Sequence, residues 1–205
     1  MKSFVTLIAG LLMAVTVSAQ EIAPDILVKN VTNEVLDIVR KDKDIQGGNT
    51  RKAVELIEVK VLPYFNFVRM TQSTLGKSWR DATPAQQKAL TEEFRTLLVR
   101  TYSAALTGYK NQTIEFKPFS MNAGDTEVRV RSEIKQSSGQ PIPLDYFLEK
   151  GSPDWKVVDI KVYGVSLTAN YLDTFKTTVR NDGIDGLIAV LQKKNKSGEA
   201  AAVKK

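Results

Sequence analysis

The chain has 205 residues, 42% of them hydrophobic, and 29 basic against 23 acidic side chains give a formal net charge of +6. That length holds one domain, or at most two small ones. With no Cys and no His, the chain cannot form a disulfide, a Ser-His-Asp triad, a Cys-His dyad or a His-based metal site.

Lys2, the apolar run from Phe4 to Val17 and the small residues Val17-Ser18-Ala19 read as an export signal over residues 1–19, cleaved after Ala19. The run is too short to cross a bilayer, which takes about 20 residues, and no later stretch approaches that length. The expectation is a soluble exported protein, with one domain over 20–192 and a basic, disordered tail over 193–205. Lys193, Lys194, Lys196, Lys204 and Lys205 against Glu199 put +4 on that tail. With Lys2 removed, the body is left at about +1. A basic tail could touch anionic lipid head groups or an acidic partner, although a solvated end is the simpler reading. A near-neutral body on an exported chain argues against nucleic acid.

Taken in order, the first predicted element is a helix from Pro24 to about Arg40, with Leu27, Val31, Val35, Ile38 and Val39 at helical spacing. Gln46-Gly47-Gly48-Asn49 breaks it. Thr50 is placed to cap a second helix ending near Pro63. After Tyr64-Phe65-Asn66-Phe67 comes a short helix to Leu75, with Gly76 ending it in a left-handed conformation. Thr83, Pro84 and Gln86 form a capping-box start for a long helix. Leu90, Phe94, Leu97, Leu98, Thr101, Tyr102, Ala105 and Tyr109 fall on one broad face of it.

Beyond Tyr109 the period changes. Strands are predicted at Thr113–Phe116, around Val128–Ile134, at Ile142–Glu149 and at Trp155–Tyr163, with short turns that favour an antiparallel meander. Tyr171, Phe175 and Val179, a stop at Gly183, and then Ile184, Leu187, Ile188 and Leu191 predict two closing helices. Helices, then strands, then helices give an α+β fold: a curved antiparallel sheet of about four strands, with helices packed on one face.

No enzyme motif is present. Asp145 and Asp159 lie on strand patterns without a visible partner. Gly183-Ile184-Asp185-Gly186 follows no strand, so it is not a dinucleotide loop. Periodicity does not distinguish apolar residues that touch each other from those that touch a ligand. From pattern alone the chain is an exported, nonenzymatic α+β domain.

Five motifs carry more than pattern: LPYFNF (62–67), LGKSWRDATPAQQKAL (75–90), FRTLLVRTYSAAL (94–106), WKVVDIKVYGVSLTANYLDTF (155–175) and GIDGLI (183–188). In this order they resemble the MlaC family, the Ttg2-type toluene-tolerance auxiliary proteins. The resemblance covers about Pro24 to Gln192. It departs at Asn66, where many members have Asp, so a charge or cap at that turn is the point to check. The resemblance implies a periplasmic phospholipid carrier of a Gram-negative bacterium. Its partners would be an MlaA-type outer-membrane lipoprotein–porin complex and an MlaFEDB-type inner-membrane ABC transporter with an MCE subunit. Its role would be to maintain outer-membrane lipid asymmetry. It would work as a monomer, without ATP, cofactor or metal, the phospholipid being cargo. An apolar lipid cleft is expected between the sheet and the long helix. Leu75, Trp79, Phe94, Leu98 and Tyr102 would form the helical wall. Tyr146, Leu148, Val162, Val165 and Leu167 would form the sheet and exit side. Lys77, Arg80 and Lys88 are candidate docking residues. The rival readings are an exported small-molecule-binding α+β domain and a ligand-free adaptor between membrane complexes.

Overall fold

A computed structural model describes residues 21–110, 112–136, 139–152 and 154–197. The expected export signal, and residues 198–205 of the expected tail, lie outside the described residues.

Among the described residues five α-helices precede the long one. Helix α1, Pro24–Lys41, has Pro in its first turn, Asp25 near its positive end and Arg40 and Lys41 near its negative end. A single turn, α2 (Lys43–Gln46), is capped by Asp42. Helix α3, Thr50–Lys60, is capped by Asn49, whose side chain accepts the Lys52 N–H. The cap is thus one residue earlier than expected. Helix α4, Phe67–Leu75, is capped by Asn66, which accepts the Arg69 N–H at 3.0 Å. The neutral amide therefore does the capping work at the turn in question. Gly76 ends α4 with φ 57°. A short helix α5, Ser78–Asp81, carries Trp79.

Helix α6, Pro84–Thr107, starts on a complete capping box. The Thr83 side chain accepts the Gln86 N–H, and the Gln86 side chain accepts the Thr83 N–H. Leu90, Phe94, Leu97 and Leu98 are buried as the spacing predicts. Ala105, expected on the same face, is exposed. Val99 and Ser103 are buried instead, because α6 is covered on more than one side.

The sheet runs in chain order: β1 (Thr113–Phe116), β2 (Glu127–Lys135), β3 (Ile142–Lys150), β4 (Trp155–Val162) and β5 (Val165–Ser166). Every neighbouring pair is antiparallel. Val128 opposes Leu148, Val130 opposes Tyr146, and Tyr146 opposes Ile160, so one face gathers the apolar side chains. Strand β4 needs a bulge to stay on that face. Phe147 pairs with Asp159 but Leu148 pairs with Val157, leaving Val158 as the extra residue. The bulge lets Val157 and Ile160 face inward together although they are three apart.

Helix α7, Ala169–Ser197, is bent at Gly183. It extends into the expected tail. Residues 193–197 are helical, and Asn195 is buried with its Nδ2 donating to the Glu93 carbonyl at 2.9 Å. A helix end with an internal partner is ordered, whatever its charge.

Three apolar clusters make the core. Helices α4, α6 and α7 meet around Phe94, whose ring is 5.3 Å from that of Tyr171 and 5.2 Å from that of Phe175. Helix α1 packs Leu27 and Val28 on Val130, Leu148, Trp155 and Val157 of the sheet. Helices α1, α2 and α3 meet around Val39, Ile45 and Ala53.

Gly183 fixes the bend in α7. Its φ of 73° and ψ of −176° belong to a region open essentially to glycine alone. Gly186, one turn on, leaves no room for a Cβ, which would lie 2.4 Å from the Asp182 Cβ. Gly183→Ala should lower the unfolding free energy by about 1–3 kcal/mol. In urea melts this appears as a lower midpoint at unchanged slope.

Candidate functional site

The site is built around the segment Leu62–Asn66. Leu62–Tyr64 form one 3-10 turn. The chain then extends and docks on β4. Strand β5 pairs only with Lys161 and Val162, so the edge of β4 near Val157 is open. Phe65 bridges to Val157 there in parallel, and the Asn66 N–H donates to the Val157 carbonyl at 2.9 Å. The Lys156 Nζ donates to the Pro63 carbonyl at 2.8 Å. These bonds hold the Phe65 ring between the helices and the sheet, stacked on Phe67 at 5.7 Å.

Two apolar cavities lie on either side of this ring. One, of about 190 Å³, lies between α1 and the sheet, with Leu27, Val31, Leu36, Tyr146 and Val157 among its walls. The other, of about 220 Å³, lies among α3, α4 and α6, with Ile57, Met70, Leu98 and Tyr102 among its walls. Val35, Val61, Phe65, Leu106 and Ile160 line both and form a common wall. Each alone is small for a ligand pocket; joined, they reach the range of roughly 300–1,000 Å³.

Among the described residues, no charged one lines either cavity. The polar groups are hydroxyls: Thr32, Tyr64 and Tyr146 in the α1 cavity, and Tyr102 in the α6 cavity. Burial is the main cause that pushes the Tyr102 phenol up to about 12, with nearby Tyr171 and Asp159 adding to it. Burial also raises Tyr171, opposed by the hydroxyl of Thr101. The Thr101 Oγ1 is itself buried and meets no partner in ordinary hydrogen-bond geometry. An uncharged, acceptor-poor lining suits hydrocarbon and penalises an ion.

The carboxylates that the sequence raised have local partners. Asp159 accepts the Thr168 N–H at 3.1 Å, and Asp145 lies 3.9 Å from Arg129. Among the described residues no group of three or more carboxylate, Cys or His side chains could hold a metal ion.

Leu98, Tyr102 and Leu167 border the α6 cavity, and Tyr146 borders the α1 cavity. Leu75 and Phe94 lie in the core of α4, α6 and α7, with Trp79 packed against it. Leu148 is buried in the core beneath α1. Val162 is half-buried opposite Leu144. Val165 is 53% exposed, at the end of a two-residue hairpin turn. Tyr163 and Gly164 in that turn have φ of 52° and 78°, the pairing a type I′ turn requires.

The larger omission is α1. Its stripe is plain in the sequence, yet Leu27, Val31, Val35 and Leu36 border a cavity with a face that periodicity assigns to core. Phe65 lies between two predicted helices, and nothing local in the sequence announces its bridge to Val157, 92 positions away. The LPYFNF motif was the one available signal.

A family model described as MlaC protein matches residues 29–193. The chain belongs to the MlaC family. The ordered motifs had pointed to the same family. Among relatives, the chain is 25% identical over 198 residues to the intermembrane phospholipid transport system binding protein MlaC of Haemophilus influenzae, covering 94% of this chain and 92% of that one. It is 26% identical over 171 residues to the toluene tolerance protein ttg2D of Pseudomonas putida, covering 83% and 78%. A solved structure of a phospholipid-binding protein from Ralstonia solanacearum, in complex with a phospholipid, superposes with a TM-score of 0.78. It is 38% identical in sequence, over 84% of this chain and 96% of that one. Like the sheet described above, this MlaC-family fold is α+β and leaves its curved sheet unclosed.

The raised pKa of Tyr102 has a signed consequence. Below pH 10 the folded and unfolded chains both keep the phenol proton. Between pH 10 and about 12 the unfolded chain loses it first, so stability falls as pH rises through that window. Tyr102→Phe should flatten this part of the stability–pH curve measured by urea denaturation. It should also remove a phenolate absorbance component that titrates near pH 12.

Proposed function

We propose that this MlaC-family chain is a periplasmic phospholipid carrier, exported by its N-terminal signal. It takes its cargo tail-first and shuttles it, as a monomer, between an MlaA-type outer-membrane complex and an MlaFEDB-type inner-membrane transporter. The net effect is to maintain outer-membrane lipid asymmetry. The observation that carries the reading is the pair of adjoining cavities that share one wall and whose described lining residues carry no charge. The Haemophilus influenzae relative named for phospholipid transport and the lipid-bound Ralstonia structure support the same cargo.

The energetics fit a carrier. Each buried methylene is worth about 0.8 kcal/mol, so one long acyl chain gains on the order of 10 kcal/mol on leaving water. A protein that withdraws a lipid from a bilayer must offer a comparable apolar surface. The phosphate stays near solvent, because neither lining supplies a cation to compensate its burial. Such a site reads tails and performs no chemistry.

Organic extraction and mass spectrometry of the purified protein should recover phospholipid in stoichiometric amount. A protein that comes clean and never takes up lipid in vitro would sink the reading. Leu106 borders both cavities, so Leu106→Glu should leave a folded protein with at least about tenfold less lipid. Val165→Glu should lower it as well, if cargo leaving past Leu167 crosses the hairpin. Full occupancy in that variant would confine the site to the two cavities.

A further inference from the structure

The two cavities differ in chemistry. The α6 cavity has the single hydroxyl of Tyr102 on its wall. At the wall of the α1 cavity three hydroxyls gather at one place, two of them lining it and one behind. Tyr146 stands on β3 opposite Val130, and Ser132 is two residues further along β2 on the same face. Thr32 reaches the same point from α1. The hydroxyls of Ser132 and Thr32 both lie against that of Tyr146 and hold its phenol pKa down against the larger upward push of burial. Tyr146 and Thr32 line the cavity. Ser132 stands behind them, 3% exposed, and its Oγ meets no partner in ordinary hydrogen-bond geometry.

Grouped hydroxyls in an apolar wall carry a desolvation cost that hydrocarbon cannot relieve. A phosphate is a poor match, because three neutral donors do not compensate a buried negative charge. A neutral oxygen acceptor is a good one. With such an oxygen accepting from Tyr146, the Ser132 hydroxyl can donate to the Tyr146 oxygen in turn, and the unmet proton is used.

We propose that Thr32, Ser132 and Tyr146 form a hydrogen-bonding station in the α1 cavity for a neutral oxygen of the cargo chain, an ester carbonyl or a chain hydroxyl. The α6 cavity takes hydrocarbon alone. The proposal rests on the phospholipid reading above and adds a selectivity to it: the two chains of one lipid are not equivalent to the protein. Tyr146 touches the cargo, and Ser132 is a positioning residue.

The test uses the delipidated full chain and three phosphatidylethanolamines of equal chain length, competed pairwise in native mass spectrometry. One is a diester, one a diether, and one a diether with a hydroxyl on the chain. The wild type should prefer the diester to the diether by a few-fold to about tenfold, the worth of one net hydrogen bond. Tyr146→Phe and Ser132→Ala should each reduce this preference, and a native far-UV circular dichroism spectrum with a cooperative melt shows that the variants fold. Tyr102→Phe should leave the preference intact. A preference for the hydroxylated diether that disappears in Tyr146→Phe supports the station with a chain hydroxyl as its ligand. Equal binding of all three lipids by the wild type, or a preference that survives Tyr146→Phe, overturns the station and leaves the carrier intact. Failure to bind any of them overturns the carrier reading, and the station with it.

Discussion

One short backbone contact organises the interior. The Asn66 N–H bonded to the Val157 carbonyl, with the Phe65–Val157 bridge beside it, ties the helical half of the molecule to the sheet. Without it Phe65 would have no fixed position, and the common wall of the two cavities would lose its central ring. The contact exists because β5 is only two residues long. A longer β5 would cover the edge of β4 and leave the Leu62–Asn66 segment nowhere to pair. The bulge at Val158 completes the arrangement by turning both Val157 and Ile160 inward.

The interior also departs from the usual economy of a core. Dense packing is the default in protein interiors. Here it holds around Phe94, where α4, α6 and α7 meet. It fails around Phe65, where apolar walls stand apart. The same residue types are used in both places, and the difference lies in what faces them. The α7 end of the molecule is a closed helical core. The α1 end is a sheet and a helix held apart, with aromatic side chains spanning part of the gap.

The elements were largely legible in the sequence. The Thr83–Gln86 capping box, the strand turns, the bend at Gly183 and the α+β order all follow from local chemistry. Placement of the cavity walls was only partly legible, for a physical reason. Periodicity says which side of an element avoids water. It does not say whether another side chain or a void lies opposite. Leu98 and Phe94 sit one turn apart on α6, and only Leu98 borders a cavity. Val165 follows a family motif but points out of the hairpin. Val158 gives no sign of being a bulge, because bulges are set by the register of both strands. Helix α1 was read as an element with an apolar stripe, and its partner across the gap is a property of the tertiary fold.

Asn66 bears on how the interior responds to acidity. It caps α4 and carries the amide that binds β4, so the helix start and the inter-layer contact are one unit. An aspartate there would gain from the helix dipole, by about 0.3–1 kcal/mol, and would forfeit that gain on protonation. An amide does not titrate. The joint between the two layers is therefore slightly weaker at neutral pH than an aspartate cap would make it, and its strength does not change in acid.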